Sequence, residues 1–174
     1  MGNRVLVLTG DGRGKTTSSL GMVLRAVGHG LRVCVVQFIK RAADETGEAR
    51  ALKLLPGVEH HMCGRGFVMP CGGEKFETHA QAAQGGLALA AEKLRDPSFN
   101  MVVLDEVCSA AALGLVAARD VCDAVASAAP GTVIILTGRD ACPELIALGD
   151  TVSRIECVKH AYDSGVAAQV GVEW

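Results

Sequence analysis

The chain predicts an α/β fold: a mostly parallel sheet of about six strands with helices on both faces, in a single domain over residues 1–174. Three observations predict it. Short, nearly continuous apolar runs recur along the chain. Stretches with helical apolar spacing separate them. Glycine and proline mark the junctions.

The first strand is Val5-Leu-Val-Leu8. Leu20, Val23, Leu24 and Val27 then recur at helical spacing over 16–27, and Gly28 to Gly30 end that helix. Residues 32–38 read as the second strand. Residues 40–57 are polar and mixed, with a short helix over 48–55 stopped at Pro56-Gly57. A third strand covers 58–63. Residues 64–77 hold Gly64, Gly66, Pro70, Gly72 and Gly73 and read as a long loop, a length that marks function or disorder in a compact domain. A long helix over 78–95 ends at Asp96-Pro97. Met101-Val-Val-Leu-Asp105 is the fourth strand, followed by helices over 107–115 and 118–128. The fifth strand spans 132–137 and a short helix 143–148. The sixth strand, 152–158, alternates as an edge strand does. Residues 159–174 are weakly patterned.

A length of 174 residues suits one domain with a proper core. Aromatic residues make up only 3%, so that core is built from Val, Leu, Ile and Ala. A net charge of −2 gives no bulk electrostatic basis for nucleic-acid or anionic-membrane binding. No apolar run reaches the ~18 residues of a membrane span, and no signal-peptide pattern is visible, so a cytoplasmic protein is expected. The seven cysteines are odd in number and contain no C-x-x-C pair, which argues against a disulfide framework or a zinc site. They read as small core residues kept reduced. His60, His61 and Cys63 have metal-ligand chemistry, but alternation along a strand turns His60 away from the other two.

The stretch Thr9-Gly-Asp-Gly-Arg-Gly-Lys-Thr-Thr17 follows the first strand and opens the first helix. Three glycines spaced by two allow backbone N–H groups to turn inward around an anion. Lys15 supplies a point charge for phosphate, and Thr16 a hydroxyl within reach of Mg²⁺. The helix N-terminus behind them favours phosphate again. The usual spacing is G-x-x-x-x-G-K-S/T. Here Thr9 stands where the first glycine belongs, and the loop from Gly10 to Gly14 is one residue shorter.

Asp105 and Glu106 end the fourth strand. Taken alone, the pair reads equally well as solvated acids at a turn; beside the glycine loop it reads as a place for Mg²⁺. Thr137-Gly-Arg139 ends the fifth strand, and Arg139 is a candidate for phosphate or ribose. These residues leave open an ordinary phosphoryl-transfer ATPase or kinase, and a nucleotide-dependent regulator. The first needs a standard loop and an arginine-bearing lid, neither of which is evident.

With these motifs the chain resembles the P-loop type of ATP:corrinoid adenosyltransferase, nearly end to end. The likeness runs through the shortened loop, Arg25-Ala-Val-Gly-His-Gly30, Val35-Val-Gln-Phe-Ile-Lys40, Thr46-Gly-Glu48 and Gly64-Arg-Gly-Phe67. It continues through Val102-Val-Leu-Asp-Glu106, Thr137-Gly-Arg139, Val158-Lys-His-Ala-Tyr162 and Ala168-Gln-Val-Gly-Val-Glu-Trp174. The resemblance implies a P-loop NTPase-like fold and a reaction in which a corrinoid Co(I) attacks the 5′ carbon of ATP and triphosphate leaves. It implies a triphosphate lying in the loop in the sense opposite to a kinase's. Its ATP residues fall on Gly10, Asp11, Gly12, Arg13, Gly14, Lys15, Thr16, Thr17 and Arg139. Lys15, Thr16 and Glu106 become the catalytic set, with Mg²⁺ on Thr16 and Glu106 and Asp105 supporting it from behind. A homodimer and a reduced flavoprotein electron donor are implied as partners.

Three departures stand out. Asp11 and Arg13 replace residues that are often Asn and Lys in relatives, so the Asp11 carboxylate is expected to point away from the phosphates. Relatives commonly read Gly-Phe-Thr-Trp where this chain has Gly66-Phe-Val-Met69, a segment implied to wedge under the corrin. Phe67 keeps its part of the wedge, and Met69 brings an adaptable thioether in place of an aromatic ring. Relatives also carry an extra N-terminal segment over the active site, which is expected here to be missing or supplied otherwise.

Overall fold

The computed structural model describes residues 2–41, 43, 46–66 and 74–172. Six strands form one sheet: β1 (Arg4–Thr9), β2 (Val33–Gln37), β3 (Val58–Met62), β4 (Met101–Asp105), β5 (Val133–Thr137) and β6 (Thr151–Arg154). Their order is β3-β2-β4-β5-β1-β6, and every pairing is parallel. Parallel neighbours require crossovers, and six helices supply them: α1 (Lys15–Gly28), α2 (Gly47–Leu52), α3 (Glu74–Arg95), α4 (Val107–Ala112), α5 (Ala118–Ala126) and α6 (Pro143–Ala147).

Side-chain alternation divides the sheet into two faces. Val33 and Val35 of β2, Met101 and Val103 of β4 and Ile135 of β5 meet Val23 and Ala26 of α1 and Leu52 of α2. Cys34, Val36, Val102, Leu104, Ile134 and Leu136 point the other way, against α3, α4, α5 and α6. Helices therefore cover both faces. Each large aliphatic side chain fully buried between these layers contributes roughly 1.5–3 kcal/mol.

Toward the C-terminal strand ends, the α1 face changes from apolar to polar. Gln37, Asp105 and Thr137 end β2, β4 and β5, and all three are buried. The chain leaves β1 for β2 by crossing β5 and β4, so α1 packs against β1, β2, β4 and β5. Its first turn lies over that polar row.

The helices read over 48–55, 107–115 and 118–128 end two or three residues earlier, at Leu52, Ala112 and Ala126, and two boundaries differ by more. The helix expected over 78–95 begins at Glu74. Phe76 and Ala80 pack on the core with Ala83, Leu87, Ala90 and Leu94, extending the helical stripe into what reads as glycine-rich loop. The sixth strand, expected over 152–158, stops at Arg154. Ile155 still donates to Thr9 O at 2.8 Å, but its own carbonyl turns to the Gly12 amide. β6 is the edge strand expected, and all four of its residues are exposed. Residues 161–164, in the weakly patterned tail, form one 3₁₀ turn. No helix among the described residues is long and apolar enough to cross a membrane.

Candidate nucleotide site

The loop between β1 and α1 is shaped by two left-handed glycines, Gly10 (φ 102°) and Gly14 (φ 107°), conformations that cost little without a Cβ. Gly14 caps α1, and Ser18 donates to its carbonyl at 2.7 Å. Thr9 is buried, and its hydroxyl accepts from Ala141 N–H at 3.2 Å. The residue that replaces the usual first glycine thus ties β1 to the segment after β5.

Behind the loop runs the chain after β6. A Cβ on Gly10 would lie 2.3 Å from Ile155 O, and one on Gly12 would lie 2.6 Å from the Glu156 carbonyl. Gly12 N–H donates to Ile155 O at 2.8 Å. Its amide therefore faces this backing segment, not inward to an anion as the glycine spacing alone implies. Asp11 accepts from Cys157 N–H at 3.3 Å and faces the same backing segment. Gly10 and Asp11 border a cavity of about 430 Å³ with Arg154 and Glu156, on the flank of the loop.

The larger cavity, about 720 Å³, opens in front of the loop. Gly12, Arg13, Gly14, Lys15, Thr16, Thr17, Glu106 and Arg139 all line it. Eight of the residues singled out in the sequence thus meet at one cavity, and Gly10 and Asp11 lie beside it. Asp105 is buried behind it. Phe67 and Met69 lie outside the described residues, but the preceding Gly66 borders the same cavity.

The charges inside are arranged for an anion. Burial holds the Lys15 ammonium below its usual pKa, and the Arg139 guanidinium lowers it further against the pull of Glu106, Asp11 and Asp140. Lys15 Nζ donates to its own loop, at Gly12 O, over 2.5 Å. Burial raises the Glu106 carboxyl above its ordinary range, and Asp105 adds to this, against Lys40, Lys15 and Arg139. Polyphosphate oxygens are the natural partners of such a partly desolvated group of cations.

Asp105 orders the base of the site. Its Oδ1 accepts from Thr16 at 2.8 Å and from Thr137 at 2.7 Å, and its Oδ2 accepts from the Gln37 amide at 2.9 Å. Thr137 Oγ1 in turn accepts from Glu106 N–H at 2.9 Å, fixing Glu106 in a left-handed conformation (φ 64°). Gly138 follows with φ 140°, and a Cβ there would lie 2.4 Å from Ser109 N. That close approach brings Arg139 N–H to Ser109 Oγ at 2.8 Å and places Arg139 on the cavity wall.

Sequence reasoning assigned no role to Lys40 or Gln37 and weighed His60 only as a metal ligand. Lys40 ends the β2 exit, lines the cavity and pairs with Glu48. Its position after a parallel strand was a usable signal. His60 turns toward Gln37 while His61 turns toward Glu59, as alternation requires. No group of three metal-ligating side chains occurs among the described residues.

The family model for ATP:corrinoid adenosyltransferase BtuR/CobO/CobP matches residues 2–174. A corrinoid adenosyltransferase of Pseudomonas aeruginosa is 39% identical over 171 residues, covering 98% of this chain and 83% of that protein. Corrinoid adenosyltransferase CobA of Salmonella typhimurium is 40% identical over 173 residues, covering 98% and 85%. A corrinoid adenosyltransferase of Escherichia coli is 37% identical over 170 residues, with coverage of 98% and 85%. With a match that runs from the first strand to the last residues, the chain belongs to the ATP:corrinoid adenosyltransferase family.

Proposed function

We propose that this chain, acting as one domain, transfers the 5′-deoxyadenosyl group of ATP to the Co(I) centre of a corrinoid in adenosylcobalamin biosynthesis or salvage. The bond formed is Co–C5′, the bond broken is C5′–O, and triphosphate carries away the electron pair. The observation that carries this reading is the cavity that joins the shortened loop, Lys15, Lys40, Arg139 and Glu106 in a chain of this family.

Cobalt is the nucleophile, so the protein needs no catalytic Ser, Cys or His. Its tasks are to position two large ligands and to stabilise a departing polyanion. Lys15, Arg13, Arg139 and the amides at the start of α1 meet the triphosphate. The Gly12 amide takes no part, because Ile155 holds it. Gly10 and Asp11 act from the loop's outer flank.

The residues fit Mg²⁺. Thr16 and Glu106 give a hard, all-oxygen donor set beside a polyanion. The Thr16 proton is committed to Asp105 Oδ1, so the hydroxyl oxygen keeps lone pairs for a cation. Asp105 already accepts three hydrogen bonds and supports the ion through Thr16. Mg²⁺, when bound, neutralises charge on the leaving triphosphate. Phe67 and Met69, which come after Gly66 in the sequence, are assigned to the corrinoid. A homodimer in the cytoplasm, served by a reduced flavoprotein, completes the reading.

The test is anaerobic. The protein is mixed with MgATP and chemically reduced Co(I) corrinoid, and the visible spectrum and triphosphate are followed. A light-sensitive alkylcobalt spectrum with stoichiometric triphosphate is expected, and Lys15→Ala should lower the rate by about 10²–10³-fold or more. Release of orthophosphate with no cobalt alkylation would overturn the reading in favour of a phosphoryl-transfer enzyme.

A further inference from the structure

A line of polar side chains runs behind the nucleotide cavity and crosses three strands. His60 Nε2 on β3 lies 2.8 Å from Gln37 Oε1 on β2. Gln37 Nε2 donates to Asp105 Oδ2 on β4 at 2.9 Å. Asp105 Oδ1 accepts the Thr16 hydroxyl at 2.8 Å. Gln37 and Asp105 have no exposed surface, so water cannot replace either partner.

Chemistry sets the direction of every bond. A carboxylate oxygen accepts, so Gln37 must turn its NH₂ to Asp105 and its carbonyl to His60. His60 must then present an N–H at Nε2. Burial, with the neighbouring His61, favours the neutral imidazole, whose single N–H is assigned by this bond to Nε2. Without that donor, the Gln37 carbonyl is left buried and unpaired, a cost that the side chain relieves by shifting toward another donor. That shift weakens the Gln37–Asp105 bond and leaves Asp105 free to move. Movement of Asp105 releases the Thr16 proton and the orientation of the Thr16 lone pairs. Gln37 also occupies Oδ2, which keeps that oxygen from a cation and leaves Glu106 as the carboxylate facing the cavity.

We propose that Gln37 and His60 are positioning residues that fix how Thr16 presents its hydroxyl oxygen to a divalent cation bound with the nucleotide. The inference deepens the functional reading above and rests on it for the presence of that cation. It differs from simple satisfaction of buried polar groups, because it predicts an effect confined to the metal-dependent part of nucleotide binding.

The experiment titrates a fluorescent ATP analogue into the full chain, with Mg²⁺ varied and again with Mg²⁺ removed by chelation. His60→Phe fills the ring space without a donor, Gln37→Met breaks both bonds, and His60→Gln restores an N–H. His60→Phe and Gln37→Met should raise the Mg²⁺ midpoint about 10-fold, the scale typical of lost support behind a metal ligand. Nucleotide affinity without Mg²⁺ should stay unchanged, and His60→Gln should return the midpoint toward wild type. Should Gln37→Met fail to fold, His60→Phe, at a half-buried edge-strand position, carries the test. An unmoved midpoint in His60→Phe overturns the proposal. So does an equal loss of affinity with and without Mg²⁺. A wild-type chain that shows the Mg²⁺ effect and its loss in the variants, but alkylates no cobalt, upholds the positioning chain and overturns the functional reading instead.

Discussion

Gly12 donates its amide to the carbonyl of Ile155 at 2.8 Å, and its Cα lies so close to the next residue that a Cβ would sit 2.6 Å from the Glu156 carbonyl. The nucleotide loop is therefore held from outside by the chain that follows β6. Gly12→Ala must push two backbones apart. We expect a loss of about 1–3 kcal/mol, the scale of forced overpacking, read as a lower urea midpoint. ATP affinity should fall with it. Gly85→Ala, at a helical position where a Cβ meets nothing within 4 Å, should leave ATP affinity unchanged and raise the urea midpoint, as Ala favours a helix interior over Gly.

The neighbouring acids Asp105 and Glu106 should separate stability from function. Asp105 accepts three hydrogen bonds in full burial, and an Asn amide there offers only one acceptor oxygen. Asp105→Asn should lower unfolding stability by about 1–3 kcal/mol, the cost of an unsatisfied buried donor. Burial, with Asp105 beside it, raises the Glu106 pKa, so its charge is disfavoured in the fold. Glu106→Gln should hold or raise the melting temperature while weakening Mg²⁺-dependent ATP binding. A fall in melting temperature as large as that of Asp105→Asn would refute the separation.

Acid should weaken the Lys40–Glu48 link. Burial alone would raise the Glu48 pKa, but its hydrogen bond from Lys40 and the other local bonds prevail and hold it below 4.5. The folded state therefore binds this proton less readily than the unfolded chain. The stabilisation is fully present above pH 4.5 and is lost as pH falls through the lower, folded value. Melting temperatures measured across that range should fall less steeply for Glu48→Gln than for wild type.

Thiol labelling should follow depth. Burial raises the thiol pKa values of Cys34 and Cys108 to about 12, whereas Cys157 is exposed beside the glycine loop. At neutral pH iodoacetamide should modify Cys157 in the folded chain and reach Cys34 and Cys108 only on unfolding, as mass spectrometry of digested protein would show. Bound nucleotide should slow the reaction at Cys157 if it steadies the loop that Asp11 joins to Cys157 N–H.

The strands were legible because both faces of this sheet are covered. Val33, Cys34, Val35 and Val36 are all fully buried, so a continuous apolar run survives in the sequence. The start of α3 was obscured because Phe76 stands among glycines and charges, although its spacing to Ala80 and Ala83 is helical. The end of β6 was set by a tertiary event, the turn of Ile155 toward Gly12, which no local pattern records. The phosphate loop could be read because its chemistry is contiguous in sequence. The Gln37–His60 line could not, because His60, Gln37, Asp105 and Thr16 come from three strands and a helix. The Gly12 amide shows the same limit. Glycine spacing states where a backbone can turn, and only the segment packed against it decides which acceptor its N–H meets.

The exits of β2 and β3 are laced together. Gly64 N–H donates to Lys40 O at 2.9 Å, Gly66 N–H donates to Ile39 O at 2.8 Å, and a Cβ on Gly64 would lie 2.1 Å from Ile39. Two crossings of the chain thus share one hydrogen-bonded seam, with Lys40 on the wall of the nucleotide cavity. If binding at one side of such a seam changes affinity at the other, the change is the same in both directions, since linkage between two binding events is reciprocal. If the residues beyond Gly66 grip the second substrate, its affinity and that of ATP are joined by one coupling constant. A single thermodynamic box, with each ligand titrated in the absence and presence of the other, then measures how tightly that seam is sewn.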